Sequence, residues 1–567
     1  MKNKEIAVLF DRIADALDIK GEQAFKILAY RKASRILDEM TDDVETIAAA
    51  GKLEDIPGIG SGIAKKIQEY LRTGEMQKYR EALSGLPPGL MTLLDIQTLG
   101  AKTIKLMHDE LAVASLDDLK KAIADGRLAA LKGMGDKKVE NIRKGIDLHE
   151  KAAERVSTWT ASRVAASLID HLEESGLAGR VEAAGSLRRM KETVGDIDIL
   201  ACAKKGGAKS AAALIELFTR APGVVRILAA GETKASVMVA TEDGERQADL
   251  RLVERASYGA ALQYFTGSKA HNIKLRSMAK DKGLKISEYG VFKSERKIAG
   301  AAEEEVYDAL GLEWVPPEMR EDRGEVELAL KHRLPKLVAY GDIKGDLHVH
   351  SDASDGTLKL GEIAEIGRRL GYSYIAVCDH SRSVKYARGL SPERLRRQMK
   401  EIDALNRSLK AKGCRLLKGS EVDILADGSL DFPDALLKEL DFVIAAIHSG
   451  FKKNVTERIL KALENPSVRT IAHPTGRLIS GREGYDVDIE KVMAGAKRAG
   501  KALELNAYYD RLDLDEFNCK RAREMGVKIS IGTDSHAANG LEMMRLGVGV
   551  ARRAWLGKAD VLNTAGL

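Results

Sequence analysis

The stretch GDLHVHSDASDGT (345–357) puts two histidines and three aspartates into a short run of a 567-residue chain with eleven histidines in all. His348 and His350 alternate along what reads as a strand, so both imidazoles face one side and suit one metal ion. Four more histidines, His380, His448, His473 and His536, follow at or beside the ends of other apolar runs. Three carboxylates accompany them: Asp355 in SDG, Glu421 in GSEVDI and Asp534 in GTDSH. A lone buried histidine is usually a packing residue, but six gathered at strand ends are hard to explain by packing. Six imidazoles and three carboxylates can hold three ions with three protein ligands each, leaving positions open for water and phosphate. Such a mixture of nitrogen and oxygen donors does not separate Zn²⁺ from Mn²⁺.

A second constellation lies in AAGSLRRMKETVGDIDIL (183–200). Asp196 and Asp198 are two apart on a strand and present both carboxylates to one side. They repel unless a cation stands between them, and hard oxygen donors suit Mg²⁺. Asp249 in RQADLRLV offers a third carboxylate from a later strand. Gly185 and Ser186 precede a short helical segment and could hold a triphosphate by backbone N–H and hydroxyl, with Arg188 or Arg189 beside them. An isolated Asp-x-Asp is a weak signal, because strand-end aspartates often only form turns. Gly-Ser, then Gly195-Asp-x-Asp, then a strand aspartate is far more specific.

The elements that position these residues come in three textures. The first 150 residues read as helices, with Leu9, Ile13, Leu17 and then Phe25, Leu28, Ile36 at helical spacing. From about residue 180 the chain turns to short apolar strands, and beyond Gly341 strands alternate with helices, which suggests parallel strands and a β/α barrel. The Pro316–Pro317 region reads as the inter-domain linker. Within the helical part a hairpin pattern recurs: IPGIGSGIAKKI (56–67), LDIQTLGAKTIKL (94–106) and LKGMGDKKVENI (131–142). Gly58, Gly60, Gly133 and Gly135 would let backbone N–H groups at a helix start approach a phosphate, a contact that positions nucleic acid without reading its sequence. The middle copy carries Gln97 and Thr98 where Pro and Gly are expected. Net charge is only +6, from 91 basic and 85 acidic residues, so bulk charge permits nucleic-acid binding without arguing for it. Four scattered cysteines without a CxxC pair argue against a disulfide framework or zinc ribbon, and no apolar run approaches a membrane span. A soluble, cytoplasmic protein is expected.

The palm-like residues resemble the nucleotidyltransferase palm of family X DNA polymerases, the group that includes DNA polymerase beta. ALQYFTGSKAHNIKLRSMAKDKGLKISEYGVF (261–292) is similar to the family's thumb. By this resemblance Asp196, Asp198 and Asp249 hold two Mg²⁺ (or Mn²⁺) ions and are catalytic. One ion would lower the pKa of the primer 3′-hydroxyl, and the other would neutralise the triphosphate. Arg155, Gly185, Ser186, Arg189 and Gly195 would hold the triphosphate. Tyr264, Phe265 and Gly267 would line the sugar pocket, and Asn272 and Arg276 would face the nascent base pair.

AYRKAS (29–34) and IPGIGSGIAKKIQEYLRTGEM (56–76) resemble the family's small gap-binding domain. Lys66 falls where some members form a Schiff base with an abasic sugar. That chemistry needs an amine deprotonated by neighbours such as Lys65 or Lys26. The expected role is the simpler one of binding a 5′-phosphate, because Gly62 stands where a second basic residue is common.

The C-terminal third resembles the PHP (polymerase and histidinol phosphatase) domain at every motif, which implies phosphoester hydrolysis with Zn²⁺, Mn²⁺ or Fe. His348, His350, Glu421 and Asp534 would hold one ion. Glu421, His448 and His473 would hold a second, and Asp355, His380 and His536 a third.

The expected architecture is multidomain. It comprises a helical gap-binding domain (1–82), a second helix-hairpin-helix domain (83–150), an α+β palm (151–255), a thumb (256–316), a linker (317–340) and a distorted β/α barrel (341–567). The expected function is gap-filling DNA synthesis in repair with a 3′→5′ exonuclease, acting as a monomer on gapped or primer-template DNA with dNTPs. The competing readings are a scaffold whose two sites are structural, and a nuclease or phosphatase with a vestigial palm. The complete aspartate triad disfavours both.

Overall fold

A computed structural model describes residues 2–40, 44–96, 99–153, 155–205, 207–409, 413–479 and 484–566. Gln97 and Thr98 lie outside the described residues. The chain divides into two compact units, one running to residue 154 and taking in the loops 382–389 and 448–450, the other holding the remainder.

The first unit is helical, and its periodicity explains why. Ile6, Phe10, Ile13 and Leu17 recur every three or four residues along the helix Lys2–Ile19 and are all buried. They pack with Ile27, Tyr30, Ala33 and Leu37 of the helix Ala24–Glu39. Burial of each large side chain contributes about 1.5–3 kcal/mol at most, against an extended reference chain. The stripe of Phe25 and Leu28 is instead 67% and 64% exposed. A helical period fits either stripe, and the packing of Tyr30 on Phe10, ring centroids 5.8 Å apart, selects the other one. A second core of Leu90, Ile104, Met107, Leu119 and Ile142 lies under the later hairpins.

The second unit begins with a five-stranded sheet of β1 (Ala178–Ala183), β2 (Ile197–Ala203), β3 (Val224–Ala230), β4 (Lys234–Thr241) and β5 (Gly244–Leu252), in the order β1-β2-β5-β4-β3. Only β2 and β5 run parallel, and they set Asp198 directly beside Asp249. The helices Tyr258–Thr266 and Lys269–Asp281 follow, then a three-stranded antiparallel sheet of β6 (Leu284–Ser287), β7 (Gly290–Lys293) and β8 (Arg296–Ala299).

The stretch 317–340, expected as a linker, is folded in its first half. A turn Pro317–Met319 and a helix Glu325–Leu330 bury Met319, Val326 and Ala329 against Val306, Tyr307 and Leu310. Arg320 is fully buried there because Glu303 accepts from its guanidinium at 2.6 Å and the Val315 carbonyl from its Nε at 2.8 Å. Proline pairs mark a turn from sequence alone, but buried pairing of this kind does not show.

Seven parallel strands make the last domain: β9 (Gly345–Val349), β10 (Tyr374–Val377), β11 (Arg415–Asp423), β12 (Phe442–Ala446), β13 (Val468–Ile471), β14 (Ala502–Asn506) and β15 (Ile529–Gly532). They pair in chain order, and a bridge from Val349 to Ser535 brings the last strand back to the first, giving a nearly closed barrel. Covered by helices, they are buried on both sides, which is why runs such as FVIAA and YIAV read as continuously apolar.

Candidate active sites

Asp196 stands just before β2, Asp198 on it and Asp249 on β5, and their carboxylate oxygens lie within 4.8 Å of one another. Burial, then the charges of Asp196 and Asp249, push Asp198 up to about 7. Burial acts upward on Asp249 too, but hydrogen bonds from Ser236, Gln247 and Lys234 outweigh it and leave the group below its ordinary value. Gln247 Nε2 donates at 3.0 Å, and Lys234 Nζ lies 3.2 Å away. Gly185, with φ of 60°, presses on this site: a Cβ there would stand 2.2 Å from Asp198 Oδ2, so no larger residue fits.

The raised Asp198 sets a pH dependence. The unfolded carboxyl titrates near ~4, so the native state holds an extra proton between about pH 4 and pH 7 and loses stability as pH rises through that window. A cation replaces the proton. Mg²⁺ is therefore expected to raise the melting temperature more at pH 8 than at pH 5.5, a difference that Asp198→Asn should remove.

Around the aspartates, Arg155 Nε donates to Thr193 Oγ1 at 2.8 Å, and its Nη1 lies 3.8 Å from where a Gly195 Cβ would stand. Ser186 sits on the one-turn helix Gly185–Arg188. Arg188 grips Glu303 with two bonds of 2.8 and 3.0 Å, while Arg189 donates through Nε to Glu321 at 3.1 Å and through Nη1 to the Thr266 carbonyl. Tyr264 and Phe265 meet edge to face at 5.2 Å, and the Arg251 guanidinium lies 4.6 Å from the Phe265 ring. Gly267 ends their helix with a positive φ. Asn272 accepts from Gln263 at 2.7 Å and donates to the Tyr264 carbonyl at 2.7 Å, and Arg276 Nε reaches the Asn272 carbonyl at 3.3 Å.

In the helical unit Gly60 and Gly135 immediately precede the helices Ser61–Thr73 and Asp136–Ala153, and Gly58 and Gly133 turn with positive φ two residues earlier. Among the described residues the space in front of Gly60 and Gly135 is open. Lys66 donates to the Gly62 carbonyl at 2.7 Å and lies 5.9 Å from the centre of the Tyr30 ring. Burial, then the neighbouring Lys78, lower its pKa. The cation that acts on it is thus Lys78, not Lys65 or Lys26.

The barrel gathers its histidines at the C-terminal strand ends. His348 and His350 face each other with Nε2 atoms 3.1 Å apart, and Asp534 Oδ1 lies 3.1 Å from His350 Nε2 and 3.7 Å from His348 Nε2. His350, Asp355, His380 and His536 form a second group, and His448 stands two residues beyond β12. His473 Nε2 is 3.0 Å from Glu421 Oε1. Burial, then His536 and His380, push His350 below its ordinary value. Burial would lower His348 as well, but the carboxylates of Glu504, Asp534 and Glu421 hold it well above its ordinary value. So many anions around one imidazole favour a cation.

Residues 261–321 match the DNA polymerase beta thumb, residues 346–506 the PHP domain, residues 1–76 a helix-hairpin-helix domain, and residues 90–147 a SAM-like helix-hairpin-helix tandem. The DNA polymerase/3′-5′ exonuclease PolX of Bacillus subtilis is 40% identical over 100% of this chain and 98% of its own length. The chain belongs to the family X DNA polymerases with a C-terminal PHP domain. About a third of the chain is similar to a probable phosphatase of Acetivibrio thermocellus, 35% identical over 34% of this chain and 78% of that protein. It is also similar to one of Thermoanaerobacter sp. strain X514, 37% identical over 27% of this chain and 66% of that protein.

Sequence reasoning missed several residues of this family X barrel site. Glu504 on β14 accepts from His348 Nδ1 at 2.7 Å and from the His473 backbone N–H at 2.7 Å. That bond puts the proton of His348 on Nδ1 and turns the Nε2 lone pair inward. Gly532 makes room for the pair, since a Cβ there would lie 2.5 Å from His348 Cβ and 2.6 Å from Glu504 Oε1. Asn506 Nδ2 holds Asp534 Oδ2 at 3.0 Å. Asp346, which the sequence leaves to hydrogen bonding rather than to a metal, ties β9 to the Thr533 N–H at 3.1 Å. Arg511 Nε stands 3.7 Å from Asp534 Oδ2. An acidic residue inside the otherwise apolar ALEL (502–505) was the available signal for Glu504. Glu504→Gln is expected to weaken metal binding by ~10–100-fold, measured as metal retained after dialysis.

Proposed function

We propose that the chain fills short gaps in DNA by template-directed nucleotidyl transfer at the aspartate site, and removes nucleotides from DNA 3′ ends by hydrolysis at the barrel site. The observation that carries this reading is the three-aspartate cluster across the Asp198–Asp249 register, present in one chain with the imidazole–carboxylate clusters of the barrel. Asp196, Asp198 and Asp249 would hold two Mg²⁺ or Mn²⁺ ions. His348, His350, Glu421 and Asp534, then Glu421, His448 and His473, then Asp355, His380 and His536 would hold three of Zn²⁺, Mn²⁺ or Fe.

The donor sets fit such ions. Two buried imidazole nitrogens 3.1 Å apart cannot both present lone pairs without a proton or a cation between them, and Asp198 near 7 answers to the same need. Bound there, divalent ions supply Lewis-acid stabilisation of phosphoryl oxygens and lower the pKa of a hydroxyl or water.

The protein's own groups do the rest. Gly185, Ser186, Arg189, Gly195 and Arg155 bind and orient the triphosphate, and Tyr264, Phe265 and Gly267 line the sugar. Asn272 and Arg276 face the base pair. The N–H groups at Gly58, Gly60, Gly133 and Gly135 hold the DNA backbone. In the barrel, Glu504 orients His348, and Arg511 offers a guanidinium to the scissile phosphate.

The proposed domains are 1–82, 83–150, 151–255, 256–316 and 341–567, with 317–340 between the last two, in a cytoplasmic monomer. Among the described residues no helix is long and apolar enough to cross a membrane. Extension of a primer across a gap with dNTPs and Mg²⁺, and shortening of labelled 3′ ends with Mn²⁺ alone, test the two activities separately.

Lys66 is proposed to hold a 5′-phosphate. Borohydride is expected to trap no adduct with abasic DNA, whereas trapping that Lys66→Ala abolishes would assign it lyase chemistry.

A further inference from the structure

Arg553 closes the helix Met544–Arg553 of the barrel domain and is 2% exposed. Its guanidinium reaches the palm instead. Nη1 donates to the backbone carbonyl of Arg189 at 2.7 Å and lies 3.1 Å from Glu321 Oε1, while Nε pairs with Glu516. The same Glu321 oxygen accepts from Arg189 Nε at 3.1 Å, so two guanidinium groups share one carboxylate. Lys191 Nζ sits 3.8 Å from both Glu321 and Glu516, and Arg323 donates to Glu516 at 2.9 Å. The Met190 side chain packs on the barrel helix as well: Met190 has φ of 53°, and a Cβ on Gly549 of that helix would stand 2.6 Å from Met190 Cε and 3.0 Å from its Cβ.

We propose that Arg553 is a positioning residue for nucleotide binding in the palm: it holds the backbone and the carboxylate partner of Arg189, and so sets the affinity for the incoming dNTP. The proposal rests on the reading of Arg189 as a triphosphate ligand.

The effect turns on how the charge on Glu321 is divided. While Arg553 takes part of that charge, Arg189 keeps cationic character to offer to a phosphate oxygen. Without Arg553, the carboxylate falls wholly to Arg189 and Lys191, and the Arg189–Glu321 pair tightens at the expense of the triphosphate. The Arg189 carbonyl also loses its donor, which loosens the turn that carries the side chain. None of the three aspartates is touched, so the step after binding is unaffected. The barrel domain thereby contributes to polymerisation through a residue remote from its own metal ligands, and the two domains cannot be separated without weakening nucleotide binding.

Single-nucleotide gap filling by the full chain tests this, with KM for dNTP and kcat measured separately for four variants. Arg553→Met is expected to raise KM about tenfold, the equivalent of one charge-assisted hydrogen bond, while kcat stays within about twofold. Arg553→Lys restores much of the loss, and Gly549→Ala, which displaces Met190 with Arg553 in place, raises KM in the same sense. Hydrolysis of 4-nitrophenyl phosphoester by the same Arg553→Met preparation reports that its barrel is folded; if it is not, Arg553→Lys and Gly549→Ala carry the test. Arg189→Ala is the reference. If it raises KM while Arg553→Met and Gly549→Ala leave KM unchanged, or lower kcat alone, the positioning role is overturned. If Arg189→Ala itself leaves KM unchanged, the reading of Arg189 as a triphosphate ligand fails instead.

Discussion

Asp249→Ala is expected to abolish primer extension, lowering the rate roughly a thousandfold or more, while binding of gapped DNA stays close to that of the wild type. The magnitude follows from what the side chain does. Asp249 lies directly beside Asp198 across two parallel strands and is held below its ordinary pKa while Asp198 is raised, so of this pair it is the one that stays charged. Its loss removes a ligand and unbalances the site. The backbone amides that would grip DNA belong to other residues, so affinity for a gap does not depend on it.

Folding is not the expected route of failure. Removing one of three mutually repelling carboxylates relieves Asp198, whose rise to about 7 owes part of its size to Asp249. The variant should melt no earlier than the wild type at pH 8 without divalent cation. Gap binding by fluorescence anisotropy and extension on the same template give both quantities, and retained extension would sink the assignment.

His348→Ala is expected to remove 3′-end hydrolysis to the same degree while leaving extension intact. His348 is fully buried, shares its Nε2 face with His350 and Asp534, and is oriented by Glu504. Deleting it removes a ligand and leaves the Glu504 carboxylate buried without its imidazole, a change of several kcal/mol when a buried charged pair is broken. The variant is therefore expected to melt earlier as well as to lose metal. Glu504→Gln separates the two effects, because it keeps the imidazole and weakens only its orientation. Hydrolysis falling with metal content across both variants, and extension unchanged in both, is the expected pattern.

Much of this was legible in the chain because each chemical group is marked by its neighbours. His348-x-His350, Asp196-x-Asp198 and Asp534-x-His536 are local pairs, and a strand's two-residue repeat aims them without knowledge of the tertiary fold. The alternation of strands and helices beyond residue 341 fixed the barrel for the same reason. What was hidden depends on long-range pairing. Glu504 finds His348 across 156 residues, and Arg553 finds Arg189 across 364. Neither carries a motif of its own. The exposed Phe25 and Leu28 show a different limit, since helical periodicity names a set of possible faces and the partner helix selects one. The folded segment after Pro316 shows a third: Arg320 and Glu303 look like surface charges until each is seen to neutralise the other in a core.

The proposed division of labour gives one chain two separate phosphoester sites with opposite chemistries. It is tested most directly by incubating 3′-end-labelled DNA with Mn²⁺ and no nucleotide, using the wild type, His348→Ala and Asp198→Ala. The wild type and Asp198→Ala are expected to release nucleotide, and His348→Ala none. Release that persists in His348→Ala and disappears in Asp198→Ala would contradict it.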